Sequence, residues 1–74
     1  MKHEHIEPCR TAPNDVIIVG RSSWGTGKSV KYGWYDKRGR ITRGGEVPIE
    51  AIPQMLEVAV RVGGLEVGPA EATP

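Results

Sequence analysis

The feature that most constrains the fold is an alternating segment that ends in a turn. From Lys28 to Tyr35, large apolar side chains occupy every second position, the pattern of a strand with one buried face. The alternation predicts that Val30, Tyr32 and Trp34 share the face that packs on the core. Residues 36–39 then read Asp-Lys-Arg-Gly, a hairpin turn whose glycine suits a positive φ. The sequence therefore predicts an antiparallel hairpin.

A β-branched run upstream predicts another strand. Residues 16–19 read Val-Ile-Ile-Val and end at Gly20, which is typical of a strand covered on both faces. Residues 22–29 nearly spell a phosphate-binding loop, with a Gly-Lys-Ser ending. That loop requires a helix after the lysine, whereas strand alternation follows here. We therefore interpret this segment as a Gly-rich loop between two strands.

The last element is predicted to be an amphipathic helix. Pro53 falls in its first turn, where a missing N–H breaks no hydrogen bond, and the glycines at 63–64 end it. Residues 65–67 are candidates for a short edge strand. If the apolar face is core, Leu56→Ala is expected to cost about 2–5 kcal/mol. The apolar positions recur at helical spacing: Ile52, Met55, Leu56, Ala59 and Val62.

The predicted fold class is α+β, a small antiparallel three- to four-stranded sheet packed against one C-terminal helix. We divide the 74 residues into a flexible N-terminal tail (1–14), a single β-rich domain (15–67) and a flexible C-terminal tail (68–74). Hydrophobic residues make up 38% and there is no Phe, so the core is thin and a homodimer is expected. A chain this short argues against most enzyme classes.

The sequence predicts a cytoplasmic protein. Cys9 is the single cysteine, which excludes an internal disulfide framework. The N-terminus has no apolar run of the kind that marks a signal peptide. The longest apolar stretch, residues 16–19, is far too short to span a bilayer.

Catalytic and metal sites are not predicted. His3, His5 and Cys9 could ligate zinc together with a neighbouring glutamate, but structural zinc sites normally pair ligands from two turns, and no second cluster follows. No spacing suggests an acid–base pair. We therefore expect a protein that is not an enzyme and that needs no cofactor and no metal.

Charge is strongly segregated along the chain. Residues 18–44 carry seven basic residues and one acidic residue, whereas residues 45–74 carry one basic and five acidic residues. All four aromatic residues lie within the basic segment. Basic side chains that follow phosphates, beside exposed aromatic rings that stack on bases, are typical of single-strand binding. The predicted nucleic-acid or partner-binding residues are Trp24, Lys28, Lys31, Tyr35, Lys37, Arg38, Arg40 and Arg43.

The segment after residue 30 resembles the single-stranded-DNA-binding coactivators of the positive cofactor four type. Lys31-Tyr32 is similar to the Lys-aromatic strand of that family, Arg43-Gly44-Gly45 to its turn and Val47-Pro48-Ile49 to the step before its helix, which would carry Met55 and Leu56. The resemblance covers roughly 30 residues. It implies a curved antiparallel sheet, a dimer and a single-stranded-DNA groove. Glu46 departs from the basic or neutral residue usual in the family.

Two alternatives remain open from the sequence. The hairpin at residues 32–40 also resembles the three-stranded arm-binding domains of phage-type integrases, which lay a sheet into the major groove of duplex DNA. The second alternative is a partner-binding role, in which a small phage or mobile-element accessory protein docks the same basic strip on an acidic host protein. The preferred prediction is a non-enzymatic regulatory protein, with a role in transcription, that binds single-stranded DNA.

Overall fold

A computed structural model of the protein describes residues 1–66. Within these residues the strands come first, and a 3₁₀ turn and an α-helix follow. In chain order the elements are β1 (Lys2–Pro8), β2 (Asp15–Arg21), β3 (Lys28–Tyr35), β4 (Ile41–Arg43), β5 (Val47–Pro48), the 3₁₀ turn (Ile49–Ala51) and α1 (Ile52–Arg61). The predicted class, a small α+β fold with an antiparallel sheet and one C-terminal helix, is confirmed.

The sheet is an antiparallel meander. The strands lie side by side in the order β1-β2-β3-β4, and β5 pairs with β3 further along the same edge. Gly33 pairs with Arg43, and Ser29 pairs with Pro48. Between these two pairs the edge strand has one residue more than β3. β4 and β5 are therefore one edge strand interrupted by a bulge between Arg43 and Val47.

Strand β1 corrects the flexible N-terminal tail predicted for residues 1–14. It pairs with β2 over its length, although its side chains are mostly polar and a bulge between His3 and His5 breaks their alternation. No hydrophobic period therefore marks it in the sequence. Gly20 lets β1 approach closely, because a Cβ there would lie 1.9 Å from the carbonyl oxygen of Lys2. The folded unit begins at β1.

The core lies on one side of the sheet, called here the inner face; the opposite side is the outer face. Val16 and Ile18 of β2 belong to the inner face and are 2% and 0% exposed. Gly33 and Lys31 lie opposite them on β3. Ser29, one pair further along, is also fully buried. Burial therefore follows alternate positions of β2 and β3 on this side.

The face of β3 predicted to form the core is the outer one, so that prediction is wrong. Tyr32 and Trp34 are 45% and 41% exposed, and α1 makes few contacts with the sheet. The large side chains of β3 lie on its exposed side, because side chains of β2 occupy the space on the inner face. A Cβ at Gly33 would lie only 3.2 Å from Ile18 Cδ1, so the glycine leaves room for that side chain.

Helix α1 begins as predicted, with Pro53 in its first turn, but its apolar side is not buried. Met55 and Leu56 are each 49% exposed, and Val62, just past the end of the helix, is 73% exposed. The helix contacts mainly the preceding 3₁₀ turn and makes few contacts with the sheet. The predicted cost of Leu56→Ala required a core position, and Leu56 does not occupy one.

The chain leaves α1 through the glycine stop that the sequence predicts. Gly64 has a φ of 73°, and the Leu65 N–H donates to the Ala59 carbonyl at 3.0 Å. Leu65 and Glu66 do not form the predicted edge strand. The third residue of that segment and the predicted tail at 68–74 lie outside the described residues.

Candidate functional site

The hairpin between β3 and β4 holds three exposed basic side chains, Lys37, Arg38 and Arg40. The Gly39 N–H donates to the Asp36 carbonyl at 3.0 Å, and Gly39 has the predicted positive φ, 76°. The Asp36 carboxylate accepts hydrogen bonds from the backbone N–H groups of Arg38 and Arg40 at 2.8 and 2.9 Å. Hydrogen bonds to the backbone therefore define this turn. Arg40 Nε lies 3.9 Å from the Asp36 carboxylate, whereas within residues 1–66 Lys37 and Arg38 form no ion pair and can contact a partner.

Three further predicted residues lie on the inner face. Lys31 is opposite Ile18, Arg43 is opposite Gly33, and Tyr35 follows two positions along β3. Tyr35 is 39% exposed, but Lys31 is only 8% exposed, which corrects the solvated position predicted for it. Among residues 1–66, no carboxylate lies within 4.0 Å of the charged nitrogens of Lys31 or Arg43. The inner face therefore carries cations without acidic partners.

His3 joins this group, although the sequence suggests for it only a zinc-ligand role, which was not predicted. The bulge in β1 turns His3 to the inner face, opposite Gly20, and His5 to the outer face, opposite Val19. Nε2 of His3 is buried and has no hydrogen-bond partner in the described part of the chain. Burial lowers the pKa of His3 below its ordinary value of 6.5, and the charges of Arg43 and Lys31 lower it further. A bulge of this kind has no local sequence signal, so the sequence pattern could not predict that His3 lies on the inner face.

Glu46 closes the sheet near His3. Its carboxylate accepts a hydrogen bond from the Ser23 N–H at 2.9 Å and lies 4.0 Å from the amino group of Met1. Met1 precedes the β1 edge and Glu46 lies on the opposite edge, so the sheet curls toward its inner face. The hydrogen bond from Ser23 is the main cause that lowers the pKa of Glu46 below its usual range. Ser22 and Ser29 hydroxyls, 2.6 Å apart, form a buried pair beside this closure.

Lys28 and Trp24 are not brought into the same group. Lys28 lies on the outer face and forms an ion pair with Glu4. Trp24 is 53% exposed in the loop between β2 and β3, at the opposite end of β3 from the basic hairpin. That loop joins two strands, and Lys28 and Ser29 begin β3 rather than a helix. The geometry of a phosphate-binding loop is therefore not formed.

A separate polar cluster lies near the outer face. The Tyr32 hydroxyl donates to the Asp15 carboxylate, which raises the pKa of Tyr32 above its usual range. Cys9 Sγ lies 3.4 Å from the Thr11 hydroxyl, and this hydrogen bond lowers the pKa of the thiol. Among residues 1–66, no three His, Cys, Asp or Glu side chains converge as metal ligands would.

Neither a family model, nor a curated protein, nor a solved structure matches this chain. The geometry described above is therefore the basis of the functional argument. Within residues 1–66, no helix is long and apolar enough to cross a membrane.

Proposed function

We propose that this protein is a non-enzymatic nucleic-acid-binding module that takes a single strand along the exposed, basic border of its inner face, beside the buried core residues. The observation that carries the proposal is a row of cations that starts at the hairpin (Lys37, Arg38) and continues through Arg43 to Lys31. Lys31 and Arg43 lack an acidic partner within residues 1–66, so a phosphate would supply the counter-charge. Tyr35, half-exposed beside this row, offers a ring on which a base can stack.

The curl of the sheet favours a single strand over a duplex. The contact between Met1 and Glu46 brings opposite edges of the sheet together, so the inner face is narrow at that end. Duplex recognition by a sheet needs strands that enter a major groove about 12 Å wide. A flexible single strand can follow a curved surface and unstack a base onto Tyr35. We therefore rank single-stranded DNA above the integrase-like duplex mode.

A double substitution at the hairpin tests the proposal. Lys37→Ala/Arg38→Ala should weaken binding of a labelled oligothymidine without unfolding the protein, because backbone bonds define the turn. If each side chain contacts one phosphate, the slope of log affinity against log salt should fall by about 1.4. Fluorescence anisotropy at several salt concentrations measures both quantities, and a duplex of equal length shows which form is preferred.

The matched control removes two positive charges elsewhere. Arg21→Ala/Arg61→Ala lowers the net charge equally, but Arg21 lies on the outer face and Arg61 on α1. An equal effect of the two double substitutions would mean that only net charge matters, and would contradict a defined surface. If wild-type protein binds neither oligonucleotide at low salt, the nucleic-acid proposal fails. The accessory protein that docks on an acidic host protein then becomes the leading alternative.

We also propose that a second copy of the chain covers the apolar side of α1. An open and mostly apolar groove of about 450 Å³ lies along α1 and is lined by Ala51, Gln54, Met55, Val58 and Ala59. A ten-residue helix with few tertiary contacts is marginal in water. None of the residues that line the groove is charged, so two such sides can meet without like-charge repulsion. A homodimer would offer two inner faces to one strand.

Cytoplasmic localisation and a role in transcription also stay predictions.

A further inference from the structure

We propose that the inner face binds one phosphate group between Lys31 and Arg43, and that His3 takes up a proton when this phosphate binds. The inference rests on the proposed function and deepens it, since it names the contact point of the strand and links binding to pH. The chemistry is that of a phosphate anion. A phosphodiester of a nucleic acid and free inorganic phosphate are the two sources to be distinguished.

The strand register places the three side chains on one surface. His3 pairs with Gly20, Lys31 pairs with Ile18, and Arg43 reaches the same face from β4. Along the direction of the strands, Lys31 therefore lies between the level of His3 and the level of Arg43. A phosphate at this position would meet an ammonium group and a guanidinium group, the two donors that proteins use most for this anion.

Burial is the main cause that lowers the pKa of His3 in the free protein, and the charges that face it lower the pKa further. Lys31 from β3, Arg43 from β4 and the amino group of Met1 all oppose a further positive charge there. Glu46 is the one carboxylate found near this group in the described residues, and Ser23 and the Met1 amino group already engage it. A proton on Nε2 would therefore have no acceptor within residues 1–66.

A bound phosphate reverses this balance. Its negative charge offsets Lys31 and Arg43, so the positive charge of a protonated His3 is opposed less strongly. Linkage then requires the converse: if the anion raises the pKa of His3, acid must tighten anion binding. The sign follows from the free state, where the pKa of His3 is below 6.5. The extra affinity is absent above the bound-state pKa and grows as the pH falls through it.

His5 supplies an internal control, because it lies on the outer face beside Glu7 and away from the cation row. We would titrate both histidines by NMR in the wild-type protein, alone, with an eight-nucleotide oligothymidine, and with inorganic phosphate. The oligonucleotide should raise the pKa of His3 by about one unit and leave His5 unchanged, which corresponds to about tenfold tighter binding at low pH. His3→Gln should lose this pH dependence, whereas His5→Gln should keep it.

The outcomes separate the subsite from the general function. If the oligonucleotide binds but His3 does not shift, the subsite is wrong and the proposed function stands. If inorganic phosphate shifts His3 and the oligonucleotide does not bind, the anion site is supported and nucleic-acid binding is overturned. If neither ligand shifts His3 and neither binds, both proposals fail. Equal shifts of His3 and His5 would show non-specific screening and would overturn the subsite.

Discussion

Ile18 and Ile17 are neighbouring residues of the same type that lie on opposite faces of β2. Ile18 is fully buried on the inner face, whereas Ile17 is only partly covered on the outer face. The location of the core can therefore be tested with a matched pair. This pair matters because the alternation of β3 alone suggests the opposite face.

Ile18→Ala should lower the free energy of unfolding by about 2–5 kcal/mol, since it removes a buried side chain and leaves a cavity. Ile17→Ala should cost clearly less, because its side chain keeps part of its solvent contact in the folded state. Urea denaturation followed by circular dichroism measures both values. A larger loss at Ile17 than at Ile18 would place the core on the outer face and contradict the register described here.

Elements with local signals were predictable from the sequence, and elements held by distant partners were not. The turn at residues 36–39, the glycine loop and the first turn of α1, which contains Pro53, each depend on residues within a few positions, and they form as predicted. β1 is held by pairing with the edge of β2, which no short-range pattern encodes. The bulges in β1 and in the β4–β5 edge likewise arise from pairing. The β1 bulge determines the position of His3, whereas the register of the β3–β4 hairpin places Arg43, so the candidate site was only partly predictable.

Helix α1 provides the test at the level of elements. Leu56→Gln should weaken self-association, because it places a polar group on the apolar side, while the monomer stays folded since Leu56 is already half-exposed. Glu57→Gln introduces the same residue one position further, on the polar side, and should leave association unchanged. Sedimentation equilibrium over a range of protein concentrations compares the variants. A wild-type protein that stays monomeric at high concentration would contradict the dimer.

At the scale of the whole molecule, Glu46 links the two edges of the sheet, so its ionisation bears on the stability of the fold. The folded protein holds the pKa of Glu46 below its ordinary value of 4.5. Stability from this group is therefore fully present above about pH 4.5 and is lost as the pH falls through the folded pKa. The carboxylate form is the one that accepts the Ser23 hydrogen bond and faces the Met1 amino group.

Glu46→Gln should destabilise the protein at neutral pH and flatten its loss of stability below about pH 4.5. Glu66→Gln, at an exposed position after the helix, is the control and should leave the neutral-pH stability unchanged. Denaturation midpoints at neutral and acidic pH provide the comparison. Parallel pH profiles for the wild-type protein and Glu46→Gln would mean that the edge contact contributes nothing to closure.

The bulge between β4 and β5 has a consequence for how this chain can vary in length. Elsewhere in the sheet, one inserted or deleted residue would exchange the inner and outer sides of a strand. At residues 44–46 the edge already carries an odd residue, and Gly45 has open space around it. A length change there would alter the size of the bulge and leave Arg43 and Val47 on their present sides. At this short segment the edge strand can therefore change in length without an exchange of its inner and outer side chains.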